Sequence, residues 1–238
     1  MKKLREKMTT KILYKLEKNR GVEPKQELVL PNFKEFNILF LEFIETFNKY
    51  FEKYNTNLYN NLNNLFIIVN HSPRNEYEGE YDDQHNIIYI SIPIGKEYKV
   101  NEEVKDTLFH ELLHVASHNK NKQYSGFNHD LNILGAKTLG RGINEGYTEY
   151  LLLKYFRPNS ISGFYYDEIR IVKELEKIIG KDKMIDYYFN GNLYDLIIDL
   201  SKNNNYEEII SLIKDIDLLV FNNKEELMNK VKNRGALW

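Results

Sequence analysis

The stretch His110-Glu111-Leu112-Leu113-His114 restricts this chain more than any other. Residues four apart on a helix lie one turn apart on the same face. The stretch therefore asks for a helix that sets two imidazoles side by side, with Glu111 next to them. The flanking sequence supplies such a helix. Asn101-Glu102-Glu103 offers an N-cap and an acidic first turn. Val104, Leu108, Leu112 and Val115 recur at helical spacing, on a face that can be buried away from the histidines. Two neutral imidazoles and a free carboxylate suit a zinc ion with a water activated beside it.

A second stretch, Asn144-Glu145-Gly146-Tyr147-Thr148-Glu149, supplies a third ligand. Glu145 and Glu149 are four apart on what reads as a helix. Two like charges one turn apart are mildly unfavourable unless a positive group stands nearby. A zinc ion held by His110 and His114 provides one. Glu145 can then bind the metal and Glu149 can accept the second N–H of a ligand histidine, fixing its tautomer; taken alone, the segment also fits two glutamates lining a solvated face.

Composition narrows the ligand set. The 238 residues include no cysteine, so disulfides and thiolate zinc sites are excluded. Zinc here must be held by His, Asp or Glu, the donor style of catalytic sites. The 33 basic and 35 acidic residues balance to a net charge of −2. That gives no electrostatic case for nucleic acid or an anionic membrane as partner. Residues 1–21 are basic and helix-forming, without the continuous apolar segment of a signal peptide, and no run is long enough to span a bilayer. The expectation is a cytoplasmic protein.

The pattern along the chain predicts an α+β fold: a small mixed sheet with the histidine helix in the first half, and a helical second half. Residues 1–32 read as a helical arm and connector, and 33–238 as one domain. Within it, 33–118 form an α/β lobe and 119–238 a helical lobe carrying Glu145. Phe36, Leu39, Phe40, Phe43, Phe47, Tyr50 and Phe51 mark a long helix with an aromatic core face from Phe33 to about Tyr54. Leu65–Val69 and Asn86–Ile94 read as strands, with a loop or hairpin connection over 71–83. Residues 119–130 read as polar loop and 131–139 as helical. Gly140 and Gly142 break the chain before a helix over 144–156. Further helices are expected over 166–179, ending at Gly180, and near 182–189, 193–201, 206–219 and 223–233.

Over residues 65–156 the chain resembles the gluzincin zinc metallopeptidases, among them thermolysin-like peptidases and related aminopeptidases. Their signature is His-Glu-x-x-His on one helix and a zinc-binding Glu on a later one. Asn144-Glu145-x-x-Thr148-Glu149 is similar to the thermolysin-type Asn-Glu-x-x-Ser-Asp. The resemblance implies that His110, His114 and Glu145 bind zinc, that Glu111 is the general base, and that Asn144 and Glu149 stand behind the ligands. It implies a peptide or protein substrate, laid along an edge strand that Asn86–Ile94 resembles. It also implies an oxyanion donor after the glutamate helix, which favours Tyr165 or Tyr166 over Tyr124. The aminopeptidase Gly-x-Met-x-Asn element is absent, so endopeptidase activity is expected. Thirty residues, 115–144, separate His114 from Glu145, a longer gap than in those enzymes. The metzincin pattern fails, because Lys120 stands where its third histidine belongs. His118 reads as a surface residue or one behind the ligands, and His129, His71 and His85 as loop residues, His129 with an option as proton donor. Two other readings stay open: a zinc-binding interaction module without catalysis, and a helical regulatory protein without metal.

Overall fold

In the computed structural model the described residues are 33–63, 65–72, 77–96, 100–122, 124–130, 138–160 and 165–219. The expected N-terminal arm and connector, the helix near 223–233 and residues 131–137 lie outside them. Contacts divide the chain into two units. The first runs to Ala116 and also takes in Tyr155–Arg157; the second comprises Ser117–Lys154 and the residues from Pro158 onward.

The core of the first unit is built on the aromatic stripe. Helix α1 (Phe33–Phe51) buries Leu39, Phe40, Phe43, Ile44, Phe47 and Phe51. Phe43 is the centre of this cluster. It stacks on Phe156 with centroids 4.8 Å apart and meets Phe109 edge-on at 5.5 Å. Tyr50 departs from the expected core face and is 45 % exposed. The chain tightens into a 3-10 turn over Glu52–Tyr54 and then enters α2 (Asn55–Leu62). The turn redirects the chain so that Leu58, Tyr59 and Leu62 reach the same core.

A three-stranded sheet follows, in the order β1–β3–β2. Strand β1 (Phe66–Ser72) pairs parallel with β3 (Ile87–Pro93), and β2 (Glu78–Asp82) pairs antiparallel with β3. The sequence of β2, Glu-Gly-Glu-Tyr-Asp, has poor strand propensity, and its pairing with β3 overrides that preference. Charged residues suit a strand that lies at the sheet edge among the described residues, because they discourage further pairing. Among the described residues β3 is consequently central, not the edge strand expected for Asn86–Ile94; β1 and β2 form the two edges. Ile88, Ile90 and Ile92 alternate into the core, as a half-buried strand requires. Helix α3 (Glu102–Ser117) carries the histidines and buries Val104, Leu108, Leu112 and Val115.

The second unit begins in short strand pairs where a plain loop was expected. His118–Asn119 (β4) pairs with Tyr124–Ser125 (β5), and His129–Asp130 (β6) with Thr138–Leu139 (β7). Residues 138–139 are therefore extended, not helical. Helix α4 (Arg141–Leu151) starts three residues before the expected Asn144, so Gly142 lies inside it. A π-helical turn continues it over Leu152–Phe156. Helices α5 (Tyr166–Ile179), α6 (Lys181–Asn190), α7 (Leu193–Ser201) and α8 (Tyr206–Leu219) complete the described chain. Gly180 closes α5 as expected, donating its N–H to the Glu176 carbonyl. The architecture is mixed helix and small sheet, an α+β arrangement. Among the described residues no helix is long and apolar enough to cross a membrane.

Candidate metal centre

Helix α3 is fixed at both ends by side chains. At its start, the Asn101 side chain accepts the N–H of Val104 at 2.9 Å, a cap of the expected kind. Arg157 holds Glu102 and Asp106 on the first turns, and Lys105 pairs with Glu42 of α1 at 2.6 Å. At its end, the last carbonyls of a helix have no partner within it. Here Asn61 donates to the Val115 carbonyl and Asn57 to the Ala116 carbonyl, each at 2.7 Å. Asn61 is itself tied down, since its own carbonyl accepts from Asn86 at 2.8 Å, and Asn86 accepts from the Tyr81 hydroxyl at 2.8 Å. A chain of hydrogen bonds thus runs from β2 to the last turn of the histidine helix.

His110 and His114 are buried on this pinned helix. Their Nε2 atoms face each other at 3.1 Å, with ring centroids 4.8 Å apart. Two bare imidazole lone pairs at that distance repel. The pair is satisfied when one nitrogen carries a proton toward the other, or when both turn their lone pairs on one cation. Glu111 is buried beside them, and its carboxylate lies against the backbone of β2 at Gly79.

Glu145 is half-buried on α4. The start of that helix is held by Asp217 of α8, whose two carboxylate oxygens accept the N–H groups of Gly140 and Gly142, each at 2.8 Å. Gly140 occupies the capping position with φ of +85°, a left-handed conformation that glycine adopts without strain. Burial pushes the Asp217 carboxyl up to about 6, against the pull of those two N–H groups and of Arg141. Asn144 turns its side-chain oxygen to the Phe127 N–H at 2.9 Å, which gives it a role in holding the preceding turn. Thr148 donates to the Asn144 carbonyl at 2.8 Å and meets the Tyr188 hydroxyl at 2.7 Å. Glu149 is buried on the same helix.

His110, His114 and Glu145 form a group able to hold a metal ion: each offers one ligand atom, and these atoms lie within 4.8 Å of one another. The donor chemistry fits zinc. Two nitrogens each about 2.05 Å from a tetrahedral ion stand about 3.3 Å apart, close to the 3.1 Å found between the histidines.

The other named residues have separate places. Tyr165 takes a left-handed backbone at the cap of α5, and Tyr166 opens that helix with 67 % of its surface exposed. His118 is buried, not on the surface, and its Nδ1 bonds the Ser125 hydroxyl at 3.0 Å. His129 stacks on Tyr124 with centroids 3.8 Å apart, and burial lowers its imidazole to about 4, so it stays neutral. His85 lies exposed against Asp82 at 2.7 Å. The side chain of His71 is outside the described residues. Three contributions had gone unread in the sequence: the Asn57 and Asn61 caps, Asp217, and Gly79. Only the asparagines leave a signal there, a four-residue spacing that puts both amides on one face of α2.

Compared with known proteins, the chain matches no protein-family model, no curated protein and no solved structure.

Proposed function

We propose that this chain is a zinc-dependent peptidase of the gluzincin kind, cutting peptide bonds internally. The observation that carries the reading is the placement of Glu111. It is a buried carboxylate on the same pinned helix as two facing imidazoles, beside an edge strand. A site that only held metal would have no need of a base there. His110, His114 and Glu145 would hold the ion. When bound, zinc supplies a Lewis acid that lowers the pKa of a water and polarises a carbonyl oxygen. Glu111 takes the proton from the attacking water and delivers it to the departing amine. The caps on α3 keep that carboxylate in register with the imidazoles, so little reorganisation remains when substrate arrives. Tyr165 and Tyr166 stay candidates for donating a hydrogen bond to the developing oxyanion.

The test combines metal analysis with peptide cleavage, on protein purified without a histidine tag. The parent should hold about one equivalent of zinc per chain and cleave unblocked and N-blocked peptides alike. Glu111→Gln should keep the zinc and lose at least about a hundredfold in kcat. His114→Ala should lose both. Cleavage by Glu111→Gln at the parent rate refutes the role of the base, and a parent without zinc refutes the centre.

A further inference from the structure

We propose that Gly79 of the edge strand positions the Glu111 carboxylate, and that no residue with a side chain can replace it while the base keeps its place. The inference rests on the peptidase reading for its functional meaning, but its geometric content stands alone. A Cβ built on Gly79 would lie 2.5 Å from Glu111 Oε1, 2.9 Å from Glu111 Cγ and 2.7 Å from Thr107 Cγ2. Real Cβ atoms do not approach heavy atoms so closely. Strand β2 thus runs against the carboxylate with bare backbone, and the space a methyl group would take is filled by Glu111 itself.

Conformational freedom is not the reason for the glycine, since its backbone is that of an ordinary strand residue. The reason is steric. Glu111 sits one turn beyond Thr107 on α3, so both side chains rise toward the same point of β2. A long carboxylate has several staggered rotamers, and the strand backbone excludes those that swing further toward it. Gly79 therefore acts through Glu111: it is a positioning residue. It also lets an edge strand approach the base, whereas any larger residue would hold the strand off or drive the carboxylate away.

The test is a double-mutant cycle on the full chain loaded with zinc, using Gly79→Ala, Glu111→Ala and the double variant. Gly79→Ala alone should lower Tm by roughly 5 °C, as overpacking does. With Glu111 already cut back to alanine, the added methyl group finds room, and the Tm penalty of Gly79→Ala should fall by at least about half. Should Gly79→Ala alone fold poorly, the same cycle on a Thr107→Ser background removes the second clash and keeps the comparison available. Zinc content should stay as in the parent in every arm that retains the histidines. In peptide cleavage, Gly79→Ala should lower kcat about tenfold or more with KM little changed, and should move the acidic limb of the pH profile, which reports the base. An equal Tm penalty with and without the Glu111 side chain, or a Gly79→Ala variant with the parent's kcat and pH profile, overturns the proposal. If the parent itself cleaves no peptide, the peptidase reading fails, while the Tm cycle still decides the placement of Gly79.

Discussion

Asp217→Asn is the most direct probe of how α4 is held. The carboxylate accepts two backbone N–H groups, those of Gly140 and Gly142, yet burial outweighs them and raises its pKa from 3.8 to about 6. The folded chain therefore holds this proton more tightly than the unfolded chain does. A raised carboxyl pKa contributes stability that is fully present below the unfolded value and is lost as pH rises through the folded value. The interval from 3.8 to about 6 corresponds to about 3 kcal/mol over the whole range, of which about 2 kcal/mol falls between about pH 4.5 and about pH 8. The asparagine amide is neutral and does not titrate, but its NH2 group cannot accept, so one of the two glycine N–H groups loses its partner at every pH. Urea unfolding followed by circular dichroism across this range gives the comparison. Near pH 4.5 the variant should lie below the parent by the cost of that lost acceptor, about 1–3 kcal/mol. The gap should change by about 2 kcal/mol in the variant's favour by pH 8, because the parent alone loses stability as pH rises. Parallel curves would refute the reasoning. A parent that gains on the variant as pH rises would show instead that the two N–H bonds outweigh the cost of burying the charge.

Asn61→Ala leaves the Val115 carbonyl at the end of α3 without its donor. It should cost about 1–3 kcal/mol and lower the melting temperature by about 2–4 °C for each of these. If Tm is unchanged, the cap does not hold the helix end. His129 has its pKa lowered from 6.5 to about 4 by burial. A depressed histidine contributes stability that is present above the unfolded value and is lost as pH falls toward the folded one. His129→Gln should therefore flatten the acid limb of the stability curve between pH 6.5 and about 4, by up to about 3 kcal/mol; an unchanged limb argues that the imidazole is hydrated.

The parts legible in the sequence were those written as local periodicity. The aromatic stripe from Leu39 to Phe51, the apolar face of α3, and helices α5, α7 and α8 follow from spacing, because each must bury one face. The His110 and His114 pair was legible for the same reason, since i, i+4 on a helix leaves little freedom. Strand β2 was hidden, because its residues are acidic and its strand character comes from pairing with β3. Asp217 was hidden because it acts on Gly140 and Gly142 across 77 and 75 positions of sequence, and no local pattern carries such a partner. Gly79 lay within the 71–83 connection and carried no signal of its own. Its value lies in what it leaves room for, and that becomes visible only once Glu111 and Thr107 stand next to it.

The fixing of α3 and of α4 differs in chemistry, and the difference bears on what each helix can tolerate. The last turn of α3 is capped by neutral amides, Asn57 and Asn61, which do not titrate in any ordinary pH range. The first turn of α4 is held by a carboxylate whose pKa of about 6 lies within reach of physiological conditions. If Glu111 is the base proposed above, it must keep its place to within about half an ångström, which favours a mounting whose hydrogen bonds do not change with pH. The helix carrying Glu111 has that mounting at the end nearest His114. The helix carrying Glu145 does not, so mild acid alters its anchor while the caps of α3 stay intact.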